Sequence, residues 1–117
     1  MSDEDLEMDQ GVTFRVTLMY DDANSQPISL VSYKAHMQVR YAAGAAVLIN
    51  LTSDAGGGIT LGGTAGTIDI YAKASQTAMV KKNAKYDLHL IDLTDPEKVL
   101  RVFGGAILLT KAITLDV

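Results

Sequence analysis

Apolar and polar positions alternate along most of this chain, and the period is two. Val12, Phe14, Val16, Leu18 and Tyr20 face one way, while Thr13, Arg15, Thr17 and Met19 face the other. Such alternation marks a half-buried strand. The same pattern places Tyr33, Ala35, Met37, Val39 and Tyr41 opposite Lys34, His36, Gln38 and Arg40. Residues 46–51 are almost wholly apolar and predict a third strand. Ile59–Leu61 and Thr67–Ala72 predict two more, with Ile68 and Ile70 inward and Asp69 outward.

The clearest signal is a hairpin. In residues 85–92, Tyr86, Leu88 and Leu90 share one face and Asp87, His89 and Ile91 the other. A turn at Thr94-Asp95-Pro96-Glu97 follows, because Pro96 presets φ and Asp95 can bond back to the chain. Residues 98–105 form the return strand, prolonged by 106–109. Ile113–Leu115 ends the chain. Residues 74–79 lack alternation and predict a single helical turn. Seven or eight short strands, with a turn about every ten residues, predict an antiparallel β-sandwich, with an open barrel as the competing architecture. The Cys and Trp signature of true immunoglobulin domains is absent.

Charge changes the picture only at the start. Asp3, Glu4, Asp5, Glu7 and Asp9 are five of the fourteen acids, and the first ten residues hold no base. The remainder has nine acids against ten bases, close to neutral. Residues 1–10 therefore read as a flexible acidic arm, and 11–117 as one β-sandwich domain. An acidic start is the reverse of a signal peptide's n-region, so synthesis and folding in a cytoplasm are expected. No apolar run reaches membrane-spanning length, and no basic stripe is present, so neither membrane nor nucleic acid is an expected partner. The chain has no cysteine, hence no disulfide and no thiolate zinc site.

Candidate chemistry is sparse. Asp87 and His89 lie on one face, but no serine or cysteine nucleophile accompanies them, and no enzyme is expected. A structural ion pair is the better reading of Asp87, with Arg101 placed beside His89 across the hairpin and Arg40 as a second partner. Tyr86, Leu88, Phe14 and Tyr33 are the expected core anchors. The glycines of Asp54–Gly58 and Gly62-Gly63 do not make a phosphate loop, because no Lys-Ser/Thr and no helix follow. The acidic loops at Asp21-Asp22 and Asp92–Glu97 lack calcium-loop spacing, and His36 and His89 alone do not define a zinc site. No cofactor is expected. Met19, Ile91 and Phe103 sit on the outward face by parity. With Asp3, Glu4 and Asp5 of the arm they are the candidate partner contacts.

Laid end to end, the motifs carry a resemblance. Gly11-Val12-Thr13-Phe14 opens a strand, and Pro27-Ile28-Ser29-Leu30 follows a polar turn. Residues 35–40 end a strand in Arg40. Gly58-Ile59-Thr60-Leu61-Gly62 precedes Gly66-Thr67-Ile68, and Thr77-Ala78, Tyr86-Asp87-Leu88 and residues 99–105 complete the series. Order and spacing over 11–114 resemble the small β-sandwich domain of tailed-bacteriophage tail and baseplate proteins, such as the N-terminal domain of baseplate upper proteins. The resemblance implies an immunoglobulin-like sandwich and a virion structural protein: a connector or adaptor of baseplate, tail or neck, acting through contacts with other virion proteins and as a trimer or in multiple copies. It brings no catalytic residues. The chain departs from baseplate upper proteins in ending where they continue into a helical linker and fibre. A carbohydrate-binding sandwich for host-surface attachment is the alternative, weakened by the lack of tryptophan and by tyrosines 20, 33, 41 and 86 alternating inward.

Overall fold

The computed structural model describes residues 2–116, with the side chain of Ser2 left aside. The chain is an all-β sandwich of two sheets. Among the described residues nine strands run in order: β1 (Ser2–Asp3), β2 (Leu6–Asp9), β3 (Phe14–Met19), β4 (Tyr33–Arg40), β5 (Val47–Thr52), β6 (Ile59–Leu61), β7 (Thr67–Ala72), β8 (Ala84–Asp92) and β9 (Val99–Thr110). A 3-10 turn (Gly63–Ala65) joins β6 to β7, and a single α-helical turn, α1 (Ala74–Thr77), carries the chain from β7 towards β8. The larger sheet has the order β1-β9-β8-β4-β5, with β2 following β1 along the same edge of β9. The smaller sheet is β3-β7-β6.

Alternation builds the core. Ala35, Met37 and Val39 of β4 are at most 3% exposed, as are Leu88 and Leu90 of β8, and they share one buried core with Ile68 and Ile70 of β7. Leu30 closes one end at 1% exposure. Burial of these aliphatic side chains is the main stabilising term, roughly 1.5–3 kcal/mol each.

The acidic segment is not a flexible arm. Leu6 pairs with Ile107 and Met8 with Leu109, in parallel register, and both Leu6 and Met8 are buried at 3–4% exposure. The segment therefore belongs to the sandwich, and the boundary expected at residue 11 does not divide the structure. Its physical logic is the run Leu6-Glu7-Met8-Asp9, apolar inward and acidic outward. The parallel pairing also corrects the expectation of a wholly antiparallel sheet.

Docking this edge requires the absence of side chains on β9. A Cβ at Gly105 would lie 2.8 Å from Asp5 Oδ1 and 2.9 Å from the Glu4 carbonyl oxygen. The segment is further held by Glu4 N donating to the Gly104 carbonyl at 2.8 Å, and by the Ala106 amide donating to Asp5 Oδ1 at 2.9 Å. The Tyr86 hydroxyl donates to the Glu4 carbonyl.

The hairpin contains a second correction. Leu88 pairs with Phe103 but His89 pairs with Arg101, so Val102 is an extra residue in β9. A bulge of this kind shifts side-chain parity by one. Val102 and Phe103 are consequently both buried, at 2% and 5% exposure. Phe103 is thus a core residue, not a partner contact, and its ring meets that of Tyr20 edge-on at 6.2 Å. Ile113–Leu115 forms no strand.

Because Leu6 fills the core, Leu6→Ala is expected to lower stability by about 2–4 kcal/mol in urea denaturation. An unstructured arm would leave the midpoint unchanged.

Candidate functional site

Two surfaces carry polar chemistry, one on the outer face of each sheet. On the larger sheet the rows are set by register. His36 stands opposite His89, Gln38 opposite Asp87, and Arg40 opposite Lys85. Asp87 Oδ2 lies 3.6 Å from Arg101 Nε and 3.6 Å from His89 Nε2. All three side chains are 38–45% exposed. The guanidinium of Arg101 lies over Gly104, where a Cβ would come within 2.0 Å of its terminal nitrogen. The missing side chain at Gly104 thus leaves the slot that the guanidinium occupies.

Arg40 is not part of this pair. Its two terminal nitrogens donate to the Ala45 carbonyl at 2.5 Å and to Gln38 Oε1 at 2.8 Å. Arg40 closes the β4–β5 turn instead. Gln38 in turn donates to Asn50 Oδ1 at 3.0 Å, and Asn50 Oδ1 also meets His36 Nε2 at 2.6 Å. This side-chain ladder ties β4 to β5. It engages His36 Nε2 with Asn50, while His89 Nε2 faces Asp87.

Of the expected core anchors, Tyr86, Leu88 and Phe14 are buried, at 4%, 0% and 7% exposure. Tyr33 is only partly buried, because it lies at the start of β4 where the sheets open, and it packs against the core from its margin. Burial pushes the Tyr86 hydroxyl up to about 12, reinforced by the charges of Glu4 and Asp5. Asp3, Glu4 and Asp5 are exposed along the outer edge of β1 and its continuation. Met19 is 51% exposed and Ile91 is partly buried.

The acidic loops serve as turn caps. Asp22 Oδ1 accepts from the Asn24 and Gln26 amides. Asp92 Oδ1 accepts from the hydroxyl and amide of Thr94, which holds the Asp92 carboxyl below its usual range. Among the described residues no group of three or more acids or histidines is placed to hold a metal ion. No helix among them is long and apolar enough to cross a membrane.

The second surface lies on the smaller sheet. Arg15 of β3 reaches Asp69 of β7 in a forked contact, with distances of 2.8 and 3.4 Å, and the Thr17 hydroxyl donates to Asp69 Oδ1 at 3.2 Å. The hydrogen bond from Arg15 holds the Asp69 carboxyl below its usual range, and the same bond raises Arg15. Tyr71 stands beside them, opposite Arg15 in register and 40% exposed. Alternation had marked Asp69 as outward; by the same parity Tyr71 is outward too. The partnership with Arg15 was not readable, because the two residues are 54 positions apart.

These features define an all-β sandwich whose polar chemistry lies on its outer faces. The chain matches no protein-family model, and no curated protein matches it.

Half-exposed pairs contribute little after solvent screening. Asp87→Ala is therefore expected to change stability by less than about 1 kcal/mol in urea denaturation. Tyr86→Phe is expected to cost about 1 kcal/mol at neutral pH through its lost hydrogen bond. A raised tyrosine pKa means stability is intact below about 10 and falls as pH rises through about 12. In the phenylalanine variant that alkaline component is expected to vanish, which melts recorded across this range will show.

Proposed function

We propose that this chain is a structural component of a tailed-bacteriophage virion: a small connector or adaptor of baseplate, tail or neck, acting through protein–protein contacts. The ordered motif series over residues 11–114 supports this reading. So does the strand order, in which an N-terminal edge strand runs parallel to the last strand of a sheet facing β3-β7-β6. That arrangement is consistent with an immunoglobulin-like sandwich. Such sandwiches recur as rigid modules whose faces and ends are free for contacts.

The observation that carries the proposal is a set of exposed apolar side chains. The Gln10 side chain bonds the Ala78 carbonyl at 3.4 Å and the Ala112 amide at 3.2 Å. The Thr77 hydroxyl donates to the Val12 carbonyl at 2.9 Å. These bonds bring together the segments that carry Val12, Met79 and Ile113, which are 51%, 56% and 104% exposed. Exposed apolar groups on neighbouring segments mark surfaces that partners cover. A neighbouring virion protein or another copy of this chain would bury them.

On this reading, mass spectrometry of purified particles from the phage encoding the chain detects it at stoichiometric level. Met79→Glu with Ile113→Glu lowers its incorporation or its oligomer mass by light scattering, while leaving the fold intact. Absence from purified particles refutes the proposal.

A further inference from the structure

We propose that the outer face of the smaller sheet is a saccharide-binding site. Arg15, Asp69, Tyr71 and Thr60 line an open basin of about 860 Å³, walled on one side by the glycine-rich loop 54–58 and on another by Gln76. Register places the groups close together. Asp69 lies opposite Thr17 on β3 and opposite Thr60 on β6, and Tyr71 follows two residues along, opposite Arg15.

Each group has a distinct role in holding a polyhydroxylated ring. An ionised carboxylate is an acceptor with about four lone-pair positions. Asp69 uses three contacts on its own sheet, two from Arg15 and one from Thr17. Its side chain is still 25% exposed, so it can accept from a sugar hydroxyl. Arg15 fixes the carboxylate in place and keeps it ionised. Tyr71 offers a rigid, half-exposed surface of the amphipathic kind that covers the C–H face of a pyranose. Gln76 accepts from the Lys73 amide through Oε1 at 2.9 Å, which leaves its amide hydrogens as donors. A concave site with a few convergent polar groups is the usual form of a small-ligand site.

Electrostatics selects a polyol over a simple anion. The guanidinium best placed to bind a phosphate already has a carboxylate at 2.8 Å, so the pair is neutral at the centre of the basin. Lys34, Lys73 and Asp54 also line the basin, which therefore holds three cations against two carboxylates and gives a lone anion only a weak net field. Gly58 holds the end of the loop edge-on against β7, continuing the β6–β7 ladder: the Tyr71 amide donates to the Gly58 carbonyl at 2.7 Å, and a Cβ at Gly58 would meet the Tyr71 carbonyl at 2.6 Å. A side chain at position 58 would lift the loop from the sheet and reshape the basin.

The site stands apart from the assembly reading, since it uses a different face and is tested on the isolated full chain. Saturation-transfer NMR would use millimolar oligosaccharides of glucose, galactose, rhamnose and N-acetylglucosamine, with inorganic phosphate as the anion control. Transfer to at least one oligosaccharide is expected, with affinity reduced about tenfold or more in Tyr71→Ala and in Asp69→Asn. Both variants change exposed side chains, and an amide–nitrogen correlation spectrum verifies that each is folded. No transfer to any of these sugars by the wild-type protein overturns the site. Undiminished binding by both folded variants does so as well, as does displacement of the sugar by phosphate.

Discussion

Strand β9 is the constraint on which the rest depends. Its twelve residues pair with β8 along one edge and with β1 and β2 along the other. To do both, it must twist, clear space and change parity within its own length. The bulge at Val102 turns Phe103 inward while leaving Arg101 outward. Gly104 makes room for the Arg101 guanidinium, and Gly105 makes room for the backbone at Glu4. Beyond them Ile107 is wholly buried and receives Leu6 as its neighbour. A side chain at Gly105 would separate the N-terminal edge from the sheet. Loss of the bulge would turn Phe103 into solvent.

Much of this was legible in the sequence. Strict alternation located β3, β4, β7 and β8, because each has one buried and one solvated face. The turn at Asp95-Pro96 was legible from its chemistry, and the Glu97 amide does donate back to Asp95 Oδ1 at 3.2 Å. The inward position of Phe103 was not legible. Parity counting assumes an unbroken ladder, and one inserted residue reverses it. The edge strand was hidden by its own composition. Leu6 and Met8 are only two apolar positions among five acids, so charge density outweighed a period-two pattern four residues long. The Arg40 contact was misjudged because alternation gives the face of a residue, not its neighbour. The register shift between Val39 and Arg40 directs that side chain to the β4–β5 turn.

The candidate surfaces follow the same logic. The polar side chains around Asp87 and around Asp69 both stand on outer faces, where charge remains solvated and burial penalties are small. They differ in what surrounds them. Around Asp87 the partners are exposed and serve the sheet. Both line open basins of similar volume, about 820 Å³ at Asp87 and 860 Å³ at Asp69, but only the one around Asp69 adds an exposed tyrosine and the glycine-rich loop 54–58 to its ion pair. A sandwich built in this way keeps its core almost wholly apolar and places its charged side chains on its outer faces.

The central structural claim is that the acidic N-terminal segment is part of the sandwich and is held there by β9. Native-state hydrogen exchange, resolved by residue, tests it most directly. The account predicts that the pairing amides within Leu6–Asp9 are protected to a degree approaching those of β8 and β9. Exchange of these amides at the rate of an unstructured chain, with β8 still protected, would contradict it.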